Sequence, residues 1–378
     1  MNILIFLVIL LVLVLVHEAG HFFTAKSFGI RVDEFGFGFP PKIASFKKGE
    51  TEYSINALPF GGFVKIFGES IDETDLVEVG FMDKEATPEK VDLSRSLVHK
   101  SKWKQALVMF AGIFANFLLA WLLFSFGFMS GLPTSVGSAP KAYELKDVNL
   151  VVVSVLQKSP AEISGLKAGD KIVSIKSNND IVSEINPDTL KSFILSHSEK
   201  EIEFGYLRGK DKNLNYTKVI PKQGIADEKP AIGISMDQVG IAKLSLFPAL
   251  WEGMKLNLSA TKSTAVGLYT LIAEGIQGKG SFSSVSGPVG MVGIVGDAYK
   301  FGWAYLLSFA ALISINLAII NLIPFPALDG GRLFFLLIEK VKGSRINSKV
   351  ANIANLIGFA FLIILMLVVT YHDIIKLF

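Results

Sequence analysis

Residues 2–25 read NILIFLVILLVLVLVHEAGHFFTA, and whether the chain is soluble or membrane-embedded turns on them. Every residue from Ile3 to Val16 is apolar, and apolar residues resume at Phe22. At 1.5 Å per residue, a helix of this length crosses the roughly 30 Å hydrocarbon core of a bilayer. A span normally excludes ionisable groups, because taking a charge out of water costs several kcal/mol. His17, Glu18 and His21 therefore need a reason to be there. No Lys or Arg precedes the apolar run and no A-x-A follows it, so the segment is expected to be a retained helix, not a cleaved signal.

The composition agrees with a membrane protein. Of 378 residues 51% are hydrophobic and 19% charged, against about 25% charged in ordinary soluble domains, and the mean hydropathy is +0.47. Cysteine is absent, which excludes disulfides and thiolate metal sites, so any metal must rely on carboxylates and the five histidines. A net charge of +3 is too slight to point to nucleic acid as a partner; it is better read from where the charges lie around the spans.

Four segments qualify as spans: 1–27, 103–129, 301–325 and 351–374. The connection 326–350 holds Arg332, Lys340, Lys342, Arg345 and Lys349 against Asp329 and Glu339, which makes it cytoplasmic by the positive-inside bias. The first loop, 28–102, then lies on the same side and closes with HKSKWK at 99–104. Within it TEYSINALPFGGFVKIFGE at 51–69 places two strand-like runs around Pro59-Phe60-Gly61-Gly62, a β-hairpin signal, unusually apolar for a loop in water. Residues 70–100 read as a charged, weakly patterned surface segment.

The extracytoplasmic part opens with a Gly/Pro/Ser linker, 130–147, and continues as a small α+β module over 148–236. Residues 237–300 combine an amphipathic helix suited to a membrane interface with a Gly-rich stretch at 286–296. That stretch lacks the Lys-Ser/Thr ending of a phosphate loop. The expected architecture is a mainly α membrane protein: about four transmembrane helices, a cytoplasmic membrane-associated β-hairpin and one extracytoplasmic α+β domain.

His17-Glu18-Ala19-Gly20-His21 fits H-E-x-x-H. Residues four apart share a helical face, so both imidazoles can reach one ion, with Glu18 beside it as general base. A catalytic zinc site wants a third protein ligand. The best candidate is Asp329 in INLAIINLIPFPALDGGR, where Pro324 and Pro326 break the third span at its cytoplasmic end, the depth expected for His17 and His21. Asp329 also suits the first turn of the following helix, and the two roles are compatible. Asn316 and Asn321 are costly in a span and serve either a substrate backbone or neighbouring helices.

Together these stretches resemble the site-2 protease family of intramembrane zinc metalloproteases, specifically the regulator of sigma-E protease (RseP) type. YSINALPFGGFVK, AGIFANFLLA, the PDZ-like SPAEISGLKAGDKIVSI, SGPVGMVGIVG and INLAIINLIPFPALDGGR follow in order over nearly the whole chain. The resemblance implies Zn2+ held by His17, His21 and Asp329, Glu18 as base, and Asn321 near substrate. Two departures stand out: Ile113 occupies a position where family members often have Pro, and the insert has room for one PDZ module, not two.

The expected substrate is the transmembrane segment of a single-span membrane protein, such as an anti-sigma factor already trimmed by another protease or a signal-peptide remnant. Its opened backbone could add to the edge of hairpin 51–69, with Gly61, Gly62 and Phe63 as candidate contacts, unless that hairpin is a plain cytosolic one. The PDZ-like module would bind an extended peptide or exclude bulky domains. The expected location is a bacterial inner membrane, with the PDZ-like domain outside and the active site near the cytoplasmic face. The competing readings are a catalytically silent PDZ-containing adaptor and, less well supported, a metal carrier, which would need acidic or His residues in several spans.

Overall fold

The computed structural model describes residues 1–69, 92–139, 143–178, 180–209, 213–226, 229–278 and 287–375. Two compact units emerge: Met1–Leu123 with Met254–Gly296 and Phe309–Phe378, and Phe124–Gly253 with Asp297–Ser308. Among the described residues, four helices are long and apolar enough to cross a membrane: Asn2–Ser27, Lys102–Ser130, Trp303–Leu322 and Lys349–Ile375.

The first unit begins with α1 (Asn2–Ser27), followed by strands β1 (Val32–Lys48) and β2 (Thr51–Ile66). The hairpin expected within 51–69 is not what forms. Residues 32–37 lie between the two halves of β2: Phe35 faces Val64 on one side and Tyr53 on the other. The pairing of 34–37 with 52–55 advances in step, whereas 32–37 against 62–66 and 42–48 against 51–56 run in opposite directions. The reversal in this sheet is at Gly49-Glu50, where Lys48 faces Thr51. The reason is burial: Val32, Val64 and Ile66 join Phe22, Ala25, Ile30, Leu97, Val108 and Met109 in one apolar cluster, which a hairpin closed on itself at 59–62 would leave incomplete. Of the expected surface segment 70–100, residues 70–91 lie outside those described; the remainder forms two short 3-10 turns before helix α2 (Lys102–Ser130).

The second unit is built on a seven-stranded sheet. Its strands are β3 (Leu132–Ser135), β4 (Lys146–Val155), β5 (Lys171–Ser177), β6 (Asp180–Ile181), β7 (Ile202–Leu207), β8 (Asn215–Val219) and β11 (Ile234–Ala242), in the order β3-β11-β4-β5-β7-β8 with β6 on β5. Short helices α3 (Pro160–Ile163) and α4 (Pro187–Ser196) connect strands, and α4 starts from an Asn186/Thr189 capping box. Strands β9 (Lys222–Ala226) and β10 (Lys229–Ala231) form a separate pair. The apolar core gathers Leu150, Val152, Leu166, Ile172, Ile175, Leu190, Ile202 and Phe204. The sheet exceeds the 148–236 expected from sequence at both ends, because β3, inside the stretch read as a linker, pairs with β11.

Asp170 is fully buried at the turn before β5, accepting hydrogen bonds from Arg208 Nε at 2.6 Å, Arg208 Nη2 at 2.7 Å and the Lys167 backbone N–H at 2.8 Å. Breaking a buried ion pair leaves an uncompensated charge. Asp170→Ala is therefore expected to destabilise this unit by about 3 kcal/mol, read as a lower temperature of thermal unfolding of the purified chain and faster proteolysis within the sheet.

The remaining helices are α5 (Leu246–Ile276), α6 (Pro288–Phe301), α7 (Trp303–Leu322), α8 (Asp329–Lys342) and α9 (Ser348–Ile375). The Gly-rich stretch 286–296 thus supplies most of a helix; near its start, the Gly290 N–H donates to the buried Asp373 Oδ2 from α9 at 2.8 Å. Between α7 and α8 the two prolines end one helix and a tight turn starts the next. Ala327 holds a left-handed φ of 75°, and its N–H donates to Asn355 Oδ1 on α9 at 3.1 Å. A Cβ on Gly331 would lie 2.2 Å from the Phe325 carbonyl oxygen, so the turn can close this tightly only with glycine there.

Candidate metal centre

The centre forms where α1, α2 and the start of α8 meet within the first unit. On α1, His17 and His21 lie one turn apart and both are buried, at 8% and 6% exposure in a helix otherwise suited to lipid. Asp329 opens α8. The side chain of Asp329 does not cap that helix, since the N-cap position is Leu328; it turns towards the histidines. Asp329 Oδ2 stands 3.1 Å from His17 Nε2 and 3.2 Å from His21 Nε2, and the two Nε2 atoms are 3.2 Å apart. An ion held tetrahedrally at about 2.0–2.1 Å requires donor atoms about 3.3–3.4 Å apart, so the triangle has nearly the size such an ion demands. Asp329 Oδ2 is also buried without a hydrogen-bond donor directed at it, although two ring nitrogens are this close. Three lone pairs converging on one point suit a cation better than mutual hydrogen bonding. Among the described residues, His17, His21 and Asp329 form the one group placed to hold a metal.

One stripe of α2 supports this triangle. The Val108 carbonyl accepts from His21 Nδ1 at 2.8 Å, which puts the proton on Nδ1 and leaves the Nε2 lone pair free. Two turns on, Asn116 brings its side-chain amide to 3.2 Å from His17 Nδ1, while its Oδ1 is buried and unpartnered. A half-turn of the amide aims Oδ1 at the Nδ1–H, satisfying both groups and presenting Nε2 of His17 in the same way. Ser314 from α7 donates to the Asn116 backbone carbonyl at 2.8 Å. Between the two contacts, Gly112 leaves room for the His21 ring: a Cβ there would come within 2.3 Å of His21 Nε2. Residues 108, 112 and 116 recur every four positions, about 6 Å per step along the helix, and so line one face of α2.

Glu18 follows His17 directly and is half-buried. Strand β2 passes beside it: a Cβ on Gly62 would lie 3.3 Å from Glu18 Cγ and 3.0 Å from Val14. Gly61, with φ 99°, and Phe63 flank that contact. Asn316 is exposed on α7 and Asn321 half-buried near its end, and neither belongs to the three-atom cluster. Asn116 and Gly112 were not singled out as site residues in the sequence; the only available signal was that both fall in AGIFAN. Asn116→Ala is expected to weaken metal binding by about 10–100-fold, the range for loss of a partner that orients a ligating histidine, as measured by competition with a chromogenic chelator.

Comparison with known proteins gives the arrangement a context. The sequence model of peptidase family M50 matches residues 5–365. The chain belongs to peptidase family M50. Among its relatives, a Clostridium perfringens protein whose name carries the words zinc metalloprotease is 36% identical, over 96% of this chain and 95% of that protein. The regulator of sigma-W protease RasP of Bacillus subtilis is 32% identical, over 99% of this chain and 98% of RasP. The zinc metalloprotease RasP of Bacillus licheniformis is 29% identical over the same shares, 99% and 98%. The M50 chain is thus a metallopeptidase with helices suited to a membrane, and the silent-adaptor alternative is set aside.

Proposed function

We propose that this metallopeptidase hydrolyses peptide bonds within the transmembrane segments of single-span membrane proteins. The carrying observation is the triangle of His17, His21 and Asp329 donors, formed by a helix otherwise suited to lipid and by the residue that opens α8. His17, His21 and Asp329 would hold Zn2+. When bound, the zinc would acidify a water molecule and polarise the scissile carbonyl. Glu18 takes the proton as the water oxygen bonds to the carbonyl carbon, and delivers a proton to the amide nitrogen as the C–N bond breaks. The products are one carboxylate and one amine terminus, with one water consumed.

A substrate helix hides its amides in its own hydrogen-bond ladder, so it must open before attack. The edge of β2 at Gly61, Gly62 and Phe63, beside Glu18, offers the opened strand backbone partners. Asn316 and Asn321 remain candidates for contact with the same segment. The module 148–236 is PDZ-like, with its sheet and the SPAEISGLKAGDKIVSI turn in support, and it binds or screens the extracytoplasmic part of the substrate. The peptidase resides in the bacterial inner membrane as a multi-pass protein, with that module outside and the metal centre towards the cytoplasm. The name of RasP, a regulator of sigma-W protease, favours anti-sigma-factor-like substrates. The test is to co-reconstitute the chain with trimmed single-span candidates and map the cut by mass spectrometry. A zinc-dependent cut inside the apolar segment is expected, whereas cuts confined to exposed loops would overturn the reading.

A further inference from the structure

A second site-like feature lies on the outer side of the helices that carry the metal centre. Between α2 and α8 runs an apolar groove of about 890 Å³, lined by Trp103, Leu107 and Phe110 from one helix and Leu333, Leu336 and Leu337 from the other. The volume falls within the roughly 300–1,000 Å³ of small-molecule sites. Trp103, Leu107 and Leu337 are 58%, 44% and 57% exposed, so among the described residues no side chain covers the groove. Its rim is basic: Lys102 and Lys340 both line it. Lys104 lies 5.6 Å from the Trp103 ring centroid. The nearby acid, Glu339, pairs with Lys102, so Lys102, Lys340 and Glu339 together leave one net positive charge at the rim.

We propose that this groove binds an anionic phospholipid, with one acyl chain along the leucines and Phe110 and the phosphate held by Lys102 and Lys340. The inference rests on the reading of α2 as a span. Lys102 begins α2, where a span meets the headgroup layer, and Phe110 lies eight residues further on, about 12 Å deeper. Apolar lining below and ammonium groups at the rim is the arrangement a phospholipid presents in reverse. A substrate helix fits less well, because its own cytoplasmic flank carries Lys and Arg and would meet this rim with like charge. The lipid would brace α8, whose first residue is Asp329 and whose Arg332 pairs with Glu69, and so steady the helix that delivers the carboxylate to the metal centre.

Trp103 makes the proposal measurable without any cleavage assay. A full-length chain retaining Trp103 alone, with Trp121, Trp251 and Trp303 replaced by Phe, is placed in phosphatidylcholine nanodiscs. These carry a small fraction of brominated phosphatidylglycerol or brominated phosphatidylcholine. Quenching by the phosphatidylglycerol is expected at a concentration roughly fivefold lower, as one net positive charge near a phosphate would provide. Lys102→Gln with Lys340→Gln should erase that preference and leave the phosphatidylcholine quenching unchanged. Equal quenching by the two lipids, a preference that survives the double substitution, or quenching only by a brominated single-span peptide would each overturn the proposal. If the single-tryptophan chain misfolds, native mass spectrometry of the unmodified chain replaces it: retained phosphatidylglycerol supports the site, and none retained overturns it. Loss of proteolysis with lipid preference intact would count against the proposed function and not against this site.

Discussion

Glu18→Gln is expected to lower cleavage of a single-span substrate by roughly 10²–10⁴-fold, the usual share of a positioned general base, while zinc content stays at the wild-type level. The substitution keeps the size of the side chain, so its packing beside Gly62 is preserved. What it removes is the ability to accept a proton. Glu18 lies outside the donor triangle, whose atoms come from His17, His21 and Asp329 alone; its loss should therefore leave metal binding intact. Turnover and metal content measured on the same preparation separate the role of base from that of ligand. Full activity in a folded, zinc-loaded Glu18→Gln chain would remove Glu18 from the chemistry.

Gly112→Ala carries the second large effect, and from a residue that is neither acid, base nor ligand. Its added methyl would stand 2.3 Å from His21 Nε2, the atom that faces Asp329 Oδ2, with its other contacts on the same ring. The ring cannot swing away freely, because its Nδ1 is tied to the Val108 carbonyl at 2.8 Å. Either that hydrogen bond breaks or the metal-facing nitrogen moves, and both outcomes spoil the triangle. The expected result is loss of bound zinc and of activity comparable to His21→Ala, with overpacking costing about 1–3 kcal/mol of stability. Gly127→Ala is the control on the same helix, since its Cβ would meet only a Leu132 methyl at 3.1 Å. An alanine at 112 that left zinc and turnover unchanged would show that α2 does not pack against the centre as described.

The contrast between these two residues shows what a sequence discloses here. His17, Glu18 and His21 were legible because ionisable groups in an apolar run are costly, and because a spacing of four fixes a common face without knowledge of any other element. Asp329 was legible because paired prolines mark a break that needs a purpose. Gly112 and Asn116 were not, since their meaning depends on which face of α2 meets α1, and a helix apolar all round does not declare its inner face. The sheet of the first unit failed for a related reason. VDEFGFGF at 32–39 carries two glycines that blunt its strand signal, yet its first six residues supply the central segment that both halves of β2 need. Register between distant segments is set by what they bury together, and the local turn signal at Pro59–Gly62 pointed to the wrong partner. The strand β3, four residues beginning Leu-Pro, was likewise masked by its linker-like composition.

The central claim is that three residues from two distant parts of the chain form one zinc site, and zinc stoichiometry tests it most directly. Plasma mass spectrometry of the purified full chain should find one zinc per molecule in the wild type and in Glu18→Gln. Asp329→Ala and His17→Ala, each checked for folding by circular dichroism, should fall well below that. Equimolar zinc retained by the Asp329→Ala chain, separated in sequence by more than 300 residues from the histidines it faces, would contradict the account.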